Sequence, residues 1–192
     1  MSSDKGKPKK KKDTWPIKAF FMAICLSAVL SFFASTALEG TGYVIAVSVL
    51  LIFIALGIVF DMIGVAVTAA DPKPFHSMAA HKEKGGREAI RLLQSAEKVS
   101  SICNDVVGDI CGVVSGSASA TIAAQILSNF DFSWPQIVSL AMSALAAGLT
   151  VGGKAIGKSF AVNSCTAIVH TVGKLLYTVN QIFGKKKKIK KK

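Results

Sequence analysis

The sequence predicts an all-α integral membrane protein with four transmembrane helices, a cytoplasmic helical hairpin and a C-terminal interfacial amphipathic helix. Composition is the first reason, because 51% of the 192 residues are hydrophobic and only 18% are charged, whereas a soluble domain carries about 25% charged residues. The second reason is a set of four long stretches without any charged residue, which lie at 19–38, 40–60, 110–130 and 132–153. The third is that the net charge of +12 is concentrated near the two ends of the chain.

Each uncharged stretch is long enough to cross a bilayer, since about 20 predominantly apolar residues span the hydrocarbon core as a helix. Helices satisfy their own backbone polar groups, which lipid cannot do. We therefore predict an extra N-terminal transmembrane helix at 17–39 and spans at 43–70, 101–129 and 134–153. The first stretch also has features of a cleaved signal peptide, although its apolar run exceeds the roughly 7–15 residues of a signal core.

The charge lies in two tails and not on one face of the protein. Residues 1–16 form a basic tail with six lysines, and 185–192 form a polylysine tail with seven lysines and no acid. Between them, residues 14–183 carry ten basic and nine acidic side chains. We expect the lipid bilayer to be the main partner, with anionic headgroups at the lysine tails. No basic face for nucleic acid is predicted.

The distribution of Lys and Arg predicts the orientation, because basic residues concentrate in cytoplasmic loops. The segment 71–100 contains six basic residues, whereas the turns at 39–42 and 130–135 contain none. Both termini and the segment 71–100 of this multi-pass protein are therefore expected in the cytoplasm.

Two polar or amphipathic segments are expected on the cytoplasmic side. The first is a helical hairpin at 76–98, with Gly85 and Gly86 at its turn. The second is 164–183, which carries apolar residues near helical spacing and a single charge, Lys174. This pattern predicts an amphipathic helix in the inner interface. A fifth span is the competing interpretation, although it would carry seven lysines to the outside.

Acidic residues within the predicted spans are the candidate functional groups. Asp61 lies ten residues before Asp71, which puts it about 15 Å from the cytoplasmic end of its helix, and Asp109 lies at a similar depth on the next span. Asp105 is one turn shallower, with Asn104 beside it. An acid near the bilayer centre costs about 2.5–3.5 kcal/mol, so each needs a cation, a proton or a basic partner.

No Lys or Arg is expected at that depth, because the nearest ones, Lys154 and Lys158, are predicted at the inner boundary. Two interpretations remain open. The spans could begin later than drawn, leaving Asp105 among the headgroups and Asp109 protonated. Alternatively, the acids line a hydrated pocket that attracts cations, with Asp61 and Asp109 meeting near mid-depth. In that pocket the candidate metal ligands are Asp61, Asp105, Asp109 and Asn104.

Glycines on the same span predict close helix packing. Gly108, Gly112 and Gly116 recur every four residues, and the last span offers matching small positions that include Gly148 and Gly152. Small residues let helix backbones approach closely in lipid. We therefore expect the acids and glycines of this face to contact one neighbouring helix.

Residues 152–159 match the phosphate-loop pattern G-x-x-x-x-G-K-S letter for letter. A phosphate loop requires a preceding strand and an α/β context, which this chain does not predict. We expect an irregular, glycine-loosened helix end there, with Lys154 and Lys158 reaching toward the interface. The cysteines form no C-x-x-C pair, the histidines lack metal-ligand spacing and no catalytic set is apparent, so no enzyme is predicted.

The order of these features resembles the transmembrane domain of the cyclin M/CorC magnesium transporter family. The segment 60–70 resembles that family's F-S-x-x-E-x-A-L at the end of its first core span. Residues 81–93 resemble its short helical hairpin, and 104–109 stand where it has G-N-x-x-V-N. The resemblance covers 43–184, without the CBS and C-terminal domains. Departures include Asp61 for the family's Ser, Gly64 for its first-span Glu and Gly153 for its third-span Glu.

The resemblance implies a divalent-cation site between the spans and a homodimer in a bacterial inner membrane. An oxygen-only set of ligands would suit Mg²⁺ or another hard divalent cation. The predicted function is therefore a membrane protein that binds and conducts such a cation. The alternative is a non-transporting membrane scaffold or modulator that has lost the site, and a third possibility is a proton-coupled carrier that uses the same acids.

Overall fold

The structure, a computed structural model, describes residues 15–38, 42–130 and 134–189. The basic tail up to residue 14, the last three residues of the polylysine tail and the turn segments 39–41 and 131–133 lie outside the described residues. Throughout the described ranges the ordered elements are helical, without a strand. The helices are α1 Trp15–Leu38, α2 Tyr43–Ala69, α3 Lys73–Ala80, α4 Gly86–Gln94, α5 Ala96–Ser101, a π-helical segment Ile102–Gly108, α6 Asp109–Asn129, α7 Pro135–Asn163 and α8 Cys165–Ile189.

Among the described residues, four helical stretches are long and apolar enough to cross a membrane, and they confirm the predicted all-α class with four candidate spans. In chain order they are the part of α1 from Ala19 to Leu38, α2, the continuous stretch from Ala96 to Asn129, and α7. This stretch combines α5, the π-helical segment and α6, and is called the third long helix below. It begins five residues before the predicted start of its span.

The last span is longer than the sequence predicted. The prediction of an irregular helix end at 152–159 is wrong, because α7 remains helical through Asn163. The helix thus ends ten residues beyond the predicted end of the span. The prediction placed the end of the helix where the uncharged stretch ends. Two lysines do not interrupt a helix, however, and Lys has a high intrinsic helix propensity.

Helix α2 lies at the centre of the bundle and contacts α1, α7, α8 and the third long helix. One apolar cluster joins α1 and α2 to α6 and α7, and a second joins α1 and α2 to the third long helix. Helix α1 packs mainly against α6 and leaves most of its large side chains exposed, including Phe20 and Phe33. It is therefore a peripheral addition to a core built around α2.

A third apolar cluster joins the end of α2 to the short helices and α8. Phe75 of α3, Ala89 of α4 and Val169 of α8 are fully buried there, against Ala66 and Val67 of α2. Helices α3 and α4 contact each other across the turn at 81–85, within the segment predicted as a hairpin, and α4 packs against α8. The predicted hairpin is thus covered by the C-terminal helix.

Two glycines allow the hairpin turn to touch α8. Gly85 has a positive φ of 88°, and a Cβ on it would lie 2.5 Å from the backbone nitrogen of Lys174. Gly173 faces it, because a Cβ on Gly173 would lie 2.6 Å from the carbonyl oxygen of Gly85. A side chain at either position would separate the turn from the helix.

Most of the predicted glycine face of the third long helix does not pack within the monomer, although Gly108 does face Lys154 of α7. The positions that Cβ atoms would occupy at Gly112, Gly116, Gly148 and Gly152 meet no atom within 4 Å. The expectation that these glycines bring α6 against α7 is therefore wrong. Helix α6 contacts α7 through other residues, among them Ala118, Ile122 and Ala146.

We predict that Gly85→Ala destabilises the protein by about 1–3 kcal/mol, because alanine is strained at positive φ and its methyl group would collide with the backbone of α8. Thermal unfolding in detergent can be followed with a thiol-reactive dye at buried Cys103 and Cys111, in a Cys25→Ser background. Gly148→Ala is the matched control, since it lies in open space within a helix and should be neutral or slightly stabilising. Equal melting temperatures for the two variants would contradict the prediction.

Candidate intramembrane polar site

Asp61 is the one acidic residue that the described structure buries. It lies on α2, eight residues before the helix ends at Ala69, which corresponds to about 12 Å along the axis. Its side chain is only 5% exposed. Burial of a carboxylate requires a compensating cation, proton or set of hydrogen-bond donors, so its neighbours define the candidate site.

Helix α7 supplies the cationic neighbour. The Nζ of Lys158 lies 3.7 Å from the Oδ2 of Asp61, a distance typical of an ion pair but too long for a hydrogen bond. The Lys158 side chain is 53% exposed, so the ammonium group lies at the edge of the bundle and reaches inward to the carboxylate. The prediction that no basic side chain lies at the depth of Asp61 is wrong.

Two glycines explain why Lys158 reaches this depth. A Cβ on Gly157 would lie 2.9 Å from the Cγ of Met62, and one on Gly153 would collide with the Cδ1 of Ile58. Later positions on α7 thus meet later positions on α2, so the two helices run side by side in the same direction. This register places Lys158 beside Asp61, three residues beyond Ile58.

The third long helix contributes Asn104 to the same face of α2. The amide group of Asn104 occupies the space that a Cβ on Gly64 would need. Gly64 follows Asp61 by three residues, so both positions lie on one side of the helix. Glycine at position 64 is therefore what admits the amide group to the helix interface.

Two oxygen atoms in this region are buried without a hydrogen-bond donor: the Oδ2 of Asp61 and the Oδ1 of Asn104. The Nδ2 of Asn104 donates to the Oγ of Ser100 at 3.4 Å, which leaves the amide oxygen as the free acceptor. Buried polar atoms in proteins are paired in the large majority of cases. Two such acceptors about one turn apart along α2 are suited to a group that brings positive charge or donors.

A π-helical segment carries Asn104. It extends from Ile102 to Gly108, and segments of this kind occur frequently at functional sites. Within it Val106 and Gly108 are buried, while Asp105 is exposed. Asn104 faces α2 from this segment, whereas the acid that follows it, Asp105, points outward.

Asp105 and Asp109 lie on the outside of the monomer. Both are exposed, and the Oγ of Ser101 donates to the Oδ2 of Asp105 at 2.9 Å. The four predicted ligands therefore divide into an inner pair, Asp61 and Asn104, and an outer pair. The predicted meeting of Asp61 and Asp109 is not seen, since one is buried against Lys158 and the other faces outward. Within the described ranges, no group of three or more His, Cys, Asp or Glu side chains is arranged to hold a metal ion.

Lys154 is a second cation that the sequence analysis placed at the inner boundary, whereas the structure places its side chain between helices. A Cβ on Gly108 would lie 3.5 Å from its Nζ, so its side chain projects toward the third long helix. Among the described residues, no carboxylate lies within ion-pair distance of it. The signal for both lysines was present in the sequence as a Gly-Lys pair repeated four residues apart, at 153–154 and 157–158.

The phosphate-loop match at 152–159 has no structural counterpart. The whole segment is part of α7 and contains no loop. Comparisons with protein-family models, curated proteins and solved structures find no match for this chain. The role of the site is therefore argued from its own geometry.

We predict that Lys158→Met destabilises the protein, because it leaves the Asp61 carboxylate buried without its counter-ion. The expected loss is about 1–2 kcal/mol, below the 3–5 kcal/mol typical of a fully buried pair, since Lys158 is half exposed. Adding Asp61→Asn should recover most of the loss in thermal unfolding measurements, which is the signature of a coupled pair. Lys154→Met is the control, and equal losses for the two lysine variants would contradict a specific pair.

Proposed function

We propose that this protein binds a hard divalent cation, with Mg²⁺ as the best candidate, inside the membrane at Asp61 and Asn104, and that it transports this cation. The observation that carries the proposal is the pair of buried oxygen acceptors without donors on adjoining faces of α2 and the third long helix. A carboxylate oxygen and an amide oxygen are ligands that Mg²⁺ accepts, and the ion retains several of its waters.

The fit of such an ion depends on Lys158. The ammonium group balances the charge of Asp61 when no metal ion is bound, and it lies beyond hydrogen-bond distance from the carboxylate. Its side chain is half exposed on a flexible stem, so it can withdraw toward the headgroups and leave Asp61 to the entering cation. The proposal therefore treats Lys158 as a cation that competes with the transported one.

The proposed approach to the site is acidic. Asp105 and Asp109 are exposed on the third long helix, on the outside of the monomer. Negative charges at the mouth of a low-dielectric cleft raise the local concentration of cations. The resemblance to the cyclin M/CorC transmembrane domain supports the same class of cargo.

We place both termini and the hairpin in the cytoplasm and the protein in the plasma membrane. This placement is supported by the six basic residues of 71–100 and by the lysine tails, because the turns at 39–42 and 130–135 contain no basic residue. Asp61 would then lie in the inner half of the bilayer.

A second candidate function is a non-transporting membrane scaffold. The observation that favours it is the ion pair itself, because Lys158 already neutralises Asp61, the one acid buried in the described part of the chain. In this case Asp61 and Lys158 fix α2 against α7, and the polar groups have a structural role. The binding of a metal ion distinguishes the two functions.

We predict that Mg²⁺ raises the melting temperature of the detergent-solubilised full chain, since a ligand of the folded state stabilises it. A concentration about ten times the Kd adds roughly 1.4 kcal/mol, or about 3–6 °C for a chain of this size. Asp61→Asn and Asn104→Leu should abolish the rise relative to NaCl of equal ionic strength. Glu97→Gln is the matched control and should retain it, because Glu97 is exposed and belongs neither to the proposed site nor to its acidic approach.

The outcomes separate the candidates. An unchanged melting temperature of the wild-type protein, or a rise that Asp61→Asn does not affect, would contradict the cation site and favour the scaffold. A rise that depends on Asp61, followed by Mg²⁺ flux into liposomes, would support transport. Binding without flux would restrict the function to a membrane cation sensor or modulator.

We further propose that the protein is a homodimer formed through the open face of the third long helix. This face carries Asp105 and Asp109 and the two glycines Gly112 and Gly116, at which an added Cβ would meet no atom of the monomer within 4 Å. Small residues suit close helix packing in lipid, and a carboxylate facing lipid costs about 2.5–3.5 kcal/mol. In a dimer the acids of both copies would line one cleft that attracts cations.

We predict that Gly116→Cys forms disulfide-linked dimers under mild oxidation in native membranes, in a Cys25→Ser background. Phe33→Cys is the control and should remain monomeric, because Phe33 is exposed on α1 and is not part of the proposed interface. A monomeric mass in mild detergent together with equal cross-linking of both variants would contradict the dimer.

A further inference from the structure

A basic cavity lies between the hairpin turn and α8, away from the Asp61 site. It has a volume of about 340 Å³ and is lined by one residue of the turn and five of the helix. These residues are Lys84, Lys174, Tyr177, Thr178, Gln181 and Ile182. The cavity follows from the glycine contact described above, because Gly85 and Gly173 hold Lys84 and Lys174 next to each other.

The charge of this cavity is positive. Among the described residues, neither Lys84 nor Lys174 has a carboxylate within ion-pair distance. The nearest acid in sequence, Glu83, lies instead 4.0 Å from the Nε2 of His170. Helix α8 contains no acidic residue, so nothing on the helix neutralises the two lysines.

Polar groups beside the lysines are arranged to donate. The Nε2 of Gln181 donates to the hydroxyl oxygen of Tyr177 at 2.7 Å, which leaves the hydrogen of the tyrosine hydroxyl free to point elsewhere. Two ammonium groups and a phenol hydroxyl are a donor set that suits the oxygens of a phosphate group.

An apolar groove adjoins the cavity along α8. It has a volume of about 430 Å³, and its walls come from α2, the end of α7 and the first half of α8. The lining residues include Met62, Ile63, Phe160, Ile168, Thr171 and Leu175. Thr171 and Leu175 line the groove, and Thr178 and Ile182 line the cavity. These four residues are spaced three or four positions apart on α8, so the two spaces follow each other along one side of the helix.

The surroundings match an amphipathic ligand. Leu176, Val179 and Ile182 are exposed on α8, which is the distribution of a helix that lies at a membrane surface. With α8 at a membrane surface, the basic cavity would face the headgroup layer and the groove between α2 and α8 would face the acyl chains. A soluble phosphate compound would use the cavity alone and leave the groove empty.

We infer that this region binds an anionic phospholipid, with the phosphate group between Lys84 and Lys174 and an acyl chain in the groove between α2, α7 and α8. This lipid site is independent of the proposed cation site, because neither Asp61 nor Asn104 lines the cavity or the groove. It assigns the hairpin a role, since the turn supplies one of the two lysines. The lysine tail adds general attraction to the membrane, whereas this site selects one lipid molecule.

The test is a titration of the detergent-solubilised full chain with dihexanoyl phosphatidylglycerol, dihexanoyl phosphatidylcholine and glycerol 3-phosphate, followed by native mass spectrometry. We expect the wild-type protein to retain the phosphatidylglycerol in preference to the zwitterionic lipid. The double variant Lys84→Gln/Lys174→Gln should weaken its binding by about 30-fold, since a lysine near an anionic lipid contributes about five-fold. Lys73→Gln/Arg87→Gln removes the same charge elsewhere on the hairpin side and should bind like the wild-type protein.

Two further variants keep the test decisive. Lys84→Arg/Lys174→Arg should restore binding, which distinguishes loss of charge from loss of folding. Ala167 also lines the groove, so Ala167→Phe fills it without changing charge and should weaken the binding of the lipid but not that of glycerol 3-phosphate. Equal retention of the two lipids, or equal binding by the two double Gln variants, would overturn the inference. Tight binding of glycerol 3-phosphate that is indifferent to Ala167→Phe would identify a soluble phosphate ligand and would also overturn it.

Discussion

The close approach of α2 and α7 is the constraint on which the polar site depends. Gly153 and Gly157 remove the side chains that would separate the helices from Ile58 and Met62. The resulting parallel register brings the Lys158 ammonium group to the only acid that the described residues bury. Without this contact Asp61 would be a carboxylate in a low-dielectric interior without a partner, which is strongly unfavourable.

The same principle operates where the third long helix meets α2. The Asn104 amide group occupies the space that a side chain at Gly64 would need. Asn104 faces inward from the π-helical segment, and the next residue, Asp105, faces outward. Lys158 and Asn104 thus contact α2 from two different helices. Asp61 is compensated by a single ammonium group at 3.7 Å and by no hydrogen bond to its Oδ2, so the interior is neutral in charge but still has unpaired acceptors.

Sequence patterns predicted the class and the number of candidate spans because uncharged stretches of about 20 residues are a strong signal. They could not predict where α7 ends, since the uncharged stretch stops before Lys154 while the helix continues to Asn163. They also could not predict which side of a helix faces inward, because consecutive residues differ by about 100°. For this reason Asp61, Asp105 and Asp109 were indistinguishable as candidates, although the structure buries only the first.

A regularity in the sequence could have located the lysines. Lys154, Lys158 and Lys174 each follow a glycine that faces a neighbouring element, Gly153, Gly157 and Gly173. On a helix the next residue lies about 100° around the axis, so its side chain leaves the backbone at the rim of the contact. A lysine stem is long enough to bend from the rim into the interface or into an adjacent cavity while its ammonium group remains hydrated. A contact glycine followed by lysine therefore places a cation at the edge of a helix interface, which is where Asp61 finds its partner and where the cavity beside the hairpin turn acquires its charge.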